Sequence, residues 1–101
     1  MYIHNITFSV ENALADEFIA FINDDFIPSS LECEGIDKPQ LARVLHQVDD
    51  KATNYALQFA AGSVDDINCW YEDCGAALFS KIMERWPDRV LFFQTALQVL
   101  S

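Results

Sequence analysis

From Tyr2 to Val10 the chain alternates, with Tyr2, His4, Ile6, Phe8 and Val10 on one parity and Ile3, Asn5, Thr7 and Ser9 on the other. Successive side chains of a strand point to opposite faces, so this is the pattern of a half-buried strand. The period then changes. Leu14, Phe18, Phe21, Ile22 and Phe26 recur three or four residues apart, which predicts a helix with one apolar stripe, capped by Asn12, ending near Asp25 and stopped by Pro28. Ser29 to Pro39 has no period and reads as a loop. Gln40 to Val48 is expected to be a second strand, and Asp49 to Ala52 a turn. Thr53, Tyr55, Leu57, Phe59 and Ala61 then mark one face of a third strand. So short a link predicts an antiparallel hairpin. Ser63 opens a second helix, with Asp66 three residues on in a capping-box arrangement and Asp65 and Asp66 complementing the positive end of its dipole. Its stripe runs through Ile67, Trp70, Tyr71, Cys74, Leu78, Ile82 and Trp86, and Pro87 closes it. Val90 to Leu100 is a final apolar strand.

Strand, helix, strand, strand, helix, strand is the β-α-β-β-α-β order of an α+β ferredoxin-like domain. It predicts a four-stranded antiparallel sheet with two helices on one face. No repeat or linker divides the chain, so residues 1–101 form a single domain. If both helices cover one face, the other meets water, a ligand or a partner. The polar parity assigns Asn5, Thr7 and Ser9 of the first strand, Asn54, Ala56, Gln58 and Ala60 of the third, and Phe92, Gln94, Ala96 and Gln98 of the fourth to that open face. In the second strand either parity serves; Arg43 with Leu41 and Leu45 is preferred to Ala42, Val44 and His46. Small residues and neutral amides with one Arg suit either a partly enclosed cavity beneath a facing sheet or plain filler at a dimer interface. For the cavity, the expected ligand-binding residues are Arg43, Gln58, Gln94, Asn5 and Thr7, with Arg43 as partner for an anion or carbonyl.

Composition sharpens this in two ways. Hydrophobic residues make up 51% of the chain, a large apolar share for a small body, and one that points to burial against a second copy. Sixteen acids against six bases leave a net charge of −10, which disfavours nucleic acid and anionic membrane surfaces as partners. No segment approaches the roughly 20 apolar residues of a membrane helix. The three cysteines are odd in number, and the alternating N-terminus lacks the basic start and apolar run of a signal peptide, so reduced thiols and a cytoplasmic location are expected.

Catalytic signatures are sparse. Cys69 and Cys74 are five apart on a helix and diverge, while Cys33, His4 and His46 lie on other elements, so no metal site is expected. The thiols read as small hydrophobes, Cys33 being the one open to exposure. His4 and His46 could be close if the first and second strands share a sheet. Three glycines supply no phosphate-cradling loop, and no cofactor is expected. Asp24 and Asp25 are adjacent, so on a helix they diverge and cannot work as a pair; the segment also lacks the alternating ligands and central glycine of a calcium loop. Trp70, Tyr71, Phe79 and Trp86 read as the second helix's share of the core rather than as a ligand box.

Three segments, "YIHNITFSVENALADEFIAFINDDFIP", "TNYALQFAA" and "RVLFFQTALQVL", resemble a bacterial family known as domain of unknown function 4286, nearly end to end. That family ends its first helix in His-Ile-Pro and carries Tyr-x-x-Gln-Tyr in its third strand and Phe-Arg-Thr in its last. Ile27, Pro28, Tyr55, Gln58, Phe93 and Thr95 match, while Phe26 stands in place of His and Gln94 in place of Arg. The resemblance implies a ferredoxin-like domain similar to dimeric α/β-barrel proteins, and no established activity. Three readings follow: a homodimer with a small-molecule cavity on the open sheet face; a cofactor-independent monooxygenase or isomerase using that cavity; and a structural or regulatory interaction module.

Overall fold

The computed structural model describes residues 1–46 and 49–101. Four strands, β1 (Tyr2–Glu11), β2 (Ile36–Arg43), β3 (Ala52–Ala61) and β4 (Val90–Gln98), form one antiparallel sheet in the order β2-β3-β1-β4. Two long helical segments, α1 (residues 15–31) and α2 (residues 64–85), lie across one face. This is the ferredoxin-like arrangement that the pattern predicts. The body is a slab of 36 × 30 × 19 Å, about the thickness of one sheet and one helix layer with their side chains.

The core lies between sheet and helices. Ile6, Phe8 and Val10 of β1 and Tyr55, Leu57 and Phe59 of β3 project into it, each under 4% exposed, on the parities that their alternation predicts. Phe18, Phe21, Ile22 and Phe26 come down from α1, and Trp70, Leu78, Phe79, Ile82 and Trp86 from α2. Aromatic edges and faces interlock there: Phe8 meets Phe18 at 5.0 Å, and Phe79 stacks on Phe92 at 4.3 Å.

Both helices contain a π-helical turn, Ile22–Phe26 in α1 and Tyr71–Gly75 in α2. In α1 the wide turn explains why the helix does not end near Asp25. Pro28 has no N–H and crowds the carbonyl four residues back, and a π turn placed just before it loosens that crowding. The helix therefore runs through Pro28 to Leu31. In α2 the turn ends at Gly75, where an added Cβ would sit 2.6–2.9 Å from the Trp70 ring; only glycine lets the indole lie against the helix backbone.

Several boundaries differ from expectation. Asn12 does not cap α1. It opens a short 3₁₀ turn, Asn12–Leu14, and its amide instead donates to the Asp50 carbonyl at 2.9 Å and accepts from the Thr53 hydroxyl at 2.6 Å, holding the β2–β3 connection. Ser63 does cap α2, accepting from the Asp66 backbone N–H at 3.0 Å. The second strand starts four residues earlier than Gln40, and a bulge between Asp37 and Gln40 shifts its register, with Lys38 at φ 51°. It ends at Arg43, short of the expected Val48, and Gln47 and Val48 lie outside the described residues.

Candidate functional site

The register decides which side chains share a face, because residues paired across strands point the same way. Gln58 pairs with Asn5 and with Gln40, and Thr7 with Ala56, on the open side. There the Gln58 amide donates to the Asn5 carbonyl oxygen at 3.1 Å, and the Asn5 amide donates to the Thr7 hydroxyl at 3.1 Å. Three of the five expected site residues thus meet in one hydrogen-bonded seam on the expected face.

The other two are elsewhere. Gln94 pairs with Ile6, a core residue, so β4 presents Phe92, Gln94 and Ala96 to the helices and Leu91, Phe93, Thr95 and Leu97 to the open side, the reverse of the expected parity. Arg43 pairs with Tyr55 and Leu41 with Leu57, so both belong to the helix side; Arg43 sits at the sheet edge in a depression of about 410 Å³ with Ile19, Asn23 and Ile27 of α1. His4 and His46 are not neighbours, since β3 separates β1 from β2.

The reversal of β4 creates a site that alternation did not suggest. His4 is 1% exposed on the helix side of β1, and its Nε2 lies 3.1 Å from Gln94 Oε1. The carbonyl oxygen can only accept, so Nε2 carries the proton and donates. His4 Nδ1 is buried without a hydrogen-bond partner among the described residues. Trp70 covers the imidazole edge-on at 4.5 Å. Burial lowers the His4 pKa below its ordinary value, against a smaller opposing effect of the Gln94 hydrogen bond. His4 is therefore a neutral imidazole at physiological pH.

Beside this pair opens a groove of about 500 Å³, walled by His4, Gln94 and Ala96 from the sheet and by Asn68, Tyr71 and Glu72 from α2. Asn68 precedes the π turn, and Tyr71 and Glu72 begin it. Tyr71 is 43% exposed, unlike Trp70, Phe79 and Trp86, which are core as expected. Because the Gln94 oxygen is occupied by His4, its amide N–H groups remain to donate, and Asn68 adds a second neutral amide. The one ionised wall residue is Glu72. The groove suits a flat, uncharged, carbonyl-bearing molecule better than an acid.

Both family departures lie around His4. Phe26, one of the two positions at which the sequence departs from the pattern it resembles, is fully buried in the α1 π turn, its ring 6.1 Å from that of Trp70. Gln94, the other, bonds His4 directly. The signal that could have located the site was there to read: a histidine on the apolar parity of β1 needs a polar partner, and Gln94 is an amide facing it from an otherwise apolar strand.

Comparison with solved structures supports the same fold. A Deinococcus radiodurans protein assigned as an antibiotic biosynthesis monooxygenase superposes with a TM-score of 0.76 at 12% identity, covering 100% of this chain and 94% of its own. A Nitrosomonas europaea protein of the same assignment gives 0.71 at 16% identity and full coverage of both chains. SnoaB, a cofactor-independent oxygenase from Streptomyces nogalater, gives 0.69 at 8% identity, covering 99% of this chain and 94% of its own. At such identities the likeness is one of fold. No curated protein sequence matches the chain. The sequence matches the family model over residues 1–100, and the chain belongs to the family described as a domain of unknown function, DUF4286.

Proposed function

We propose that this protein acts as a cytoplasmic homodimer, joined through its open sheet faces, whose protomers each bind a small uncharged molecule in the His4–Gln94 groove. The carrying observation is the makeup of the open face. Leu91, Phe93 and Leu97 are 60%, 61% and 42% exposed there. Among the described residues whose strand pairing sets their face, its charges are Glu11 and Asp37, both at the ends of strands. In a chain of net charge −10, a sheet face without central charge is costly to leave in water and favourable to cover with its own copy, since no like charges meet. The Asn5–Gln58–Thr7 seam pairs two of its amide donors internally, which lowers the cost of burying it and makes these residues interface rather than ligand contacts in this reading. A stable dimer needs about 800 Å² from each partner, a modest part of the protomer's 6186 Å² of accessible surface. Light scattering after size exclusion is expected to give twice the chain mass at micromolar concentration, and Phe93→Lys to give a monomer with native circular dichroism. A monomeric wild-type protein sinks the dimer.

A second reading is favoured by the neutral imidazole beside the groove: an enzyme of the cofactor-independent oxygenase or isomerase class. SnoaB, of the same fold, is a cofactor-independent oxygenase. Here Gln94, fixed by His4, would orient a substrate carbonyl by donating to it, with Tyr71 against the substrate's flat face. A thermal-shift screen of neutral quinones and cyclic ketones, set against their carboxylated analogues, is expected to find binding only among the neutral set. Gln94→Leu should abolish the shift. A shift that survives the substitution removes the groove from the proposal, and Arg43→Ala then tests the depression at the sheet edge.

A further inference from the structure

Residues 32–35 join α1 to β2, and the side chain of Cys33 lies across from the π turn of α2, its Sγ 3.3 Å from Cys74 Sγ. Both side chains are half-buried, and both sulfurs are free thiols. We propose that Cys33 and Cys74 form a reversible intramolecular disulfide on exposure to a neutral hydroperoxide, making this pair an oxidation site that clamps the connection at residues 32–35 to the helix wall of the groove.

The geometry requires little movement. Closing 3.3 Å to a bond of ~2.0 Å asks for ~1.3 Å of approach, which two side-chain torsions supply without displacing an element. Neighbouring backbone is already fixed: the Cys33 N–H donates to the Ser30 carbonyl at 3.1 Å, and its own carbonyl accepts from Ile36 at 3.4 Å. Cys69, by contrast, is exposed one turn before Cys74 and has no thiol beside it among the described residues.

The order of events follows from the environment of Cys74. Burial first, then the Cys33 sulfur and the carboxylates of Asp73 and Glu32, push its pKa up to about 12. Cys74 therefore holds its proton, and we assign the first attack to Cys33. The Cys33 thiolate attacks one peroxide oxygen, the O–O bond breaks, and the leaving oxygen departs as water or alcohol after protonation, leaving a sulfenic acid. Cys74 sulfur then attacks the Cys33 sulfur, the S–O bond breaks, and the Cys74 proton leaves with the departing hydroxide as water. Two thiols are oxidised by two electrons, and one peroxide is reduced by two. The same carboxylates repel anionic oxidants, so glutathione disulfide reacts more slowly than hydrogen peroxide.

The consequence reaches the groove because Cys74 shares the π turn Tyr71–Gly75 with Tyr71 and Glu72. Oxidation is expected to slow amide exchange across residues 71–75. That readout does not depend on any ligand, so it stands apart from the binding reading.

The test uses the full chain carrying Cys69→Ser, which removes the exposed thiol. One equivalent of hydrogen peroxide should lower the intact mass by two hydrogens, abolish alkylation at both remaining thiols and leave the protein one chain on a non-reducing gel, all reversed by dithiothreitol. Adding Cys33→Ser or Cys74→Ser should remove the reversible mass loss. Two thiols still alkylated after oxidation, oxygen added without loss of hydrogen, or a disulfide between two chains overturns the proposal.

Discussion

The two faces of one sheet solve opposite problems with similar residues. The helix face holds Phe8, Phe59 and Leu57 but also His4 and Gln94. The open face holds Asn5, Gln58 and Thr7 but also Leu91, Phe93 and Leu97. Polarity alone therefore does not tell buried from exposed here. What separates the faces is shape and company. On the helix side aromatic rings interlock with two helices, and His4 is buried among them with the exposed Gln94 at its edge. On the open side small residues and amides lie flat, with apolar groups along β4 standing out from them. One face is a finished core, and the other has the makeup of half an interface.

The sharpest way to test this contrast is to cut the same side chain from each face. Phe8 is fully buried and touches three other aromatic rings within 6.2 Å. Phe8→Ala is expected to cost ~3–5 kcal/mol of unfolding free energy, through lost transfer and the cavity left behind. Phe93 is 61% exposed, so Phe93→Ala should change the stability of the diluted protomer by less than ~0.5 kcal/mol. At higher concentration the same substitution should remove the rise of unfolding midpoint with protein concentration that a dimer produces. Urea unfolding at two concentrations separates the outcomes. Equal costs for the two substitutions would erase the distinction between the faces.

A smaller effect tests how the helix layer is fixed above the core. The Trp70 indole N–H donates to the Ser30 hydroxyl at 2.9 Å, and that hydroxyl donates to the Phe26 carbonyl at 2.8 Å. Ser30 is fully buried, so no water replaces it. Ser30→Ala should cost ~1–3 kcal/mol by leaving the indole donor unpaired, and Ser30→Thr should restore part of it. An alanine variant as stable as the parent would mean that Trp70 is held by packing alone.

How much of this was legible in the chain follows from the same contrast. β1 and β3 alternate without ambiguity, and their faces, the element order and the fold could be read directly. β4 could not, because both of its parities are apolar: Val90, Phe92 and Ala96 against Leu91, Phe93 and Leu97. A polar residue in such a strand reads as facing the open side, whereas Gln94 takes the helix-side parity, exposed at the groove, and bonds the buried His4. Arg43 was misplaced for a related reason: both parities from Leu41 onward mix apolar and polar residues, so the pattern left its face open, and pairing with Tyr55 puts it on the helix side. The π turns leave no mark in a pattern of threes and fours. The approach of Cys33 to Cys74, 41 residues apart, is purely tertiary.

The smallest effect concerns His4, and its sign can be worked out. Burial lowers its pKa in the folded state, whereas in the unfolded chain it titrates near ~6.5. Between those values the unfolded chain binds the extra proton, so stability is complete above pH ~6.5 and declines as the pH falls through the unfolded value toward the folded one, by at most ~1.4 kcal/mol per pH unit for one proton. Comparison with His4→Phe in the window from ~6.5 down to ~5 subtracts what the other groups contribute and so isolates the imidazole. His4→Phe keeps a ring against Trp70 and removes the unpartnered nitrogen, while Gln94 is left without its donor. The variant should lose the decline in that window, and Gln94→Leu should steepen it by withdrawing the acceptor that favours the protonated ring. If stability is flat across the window in the parent protein, His4 is neither buried nor poised as described. The open face, whose described strand residues include no histidine, should contribute nothing to this dependence, so a dimer-breaking Phe93→Lys variant must show the same slope.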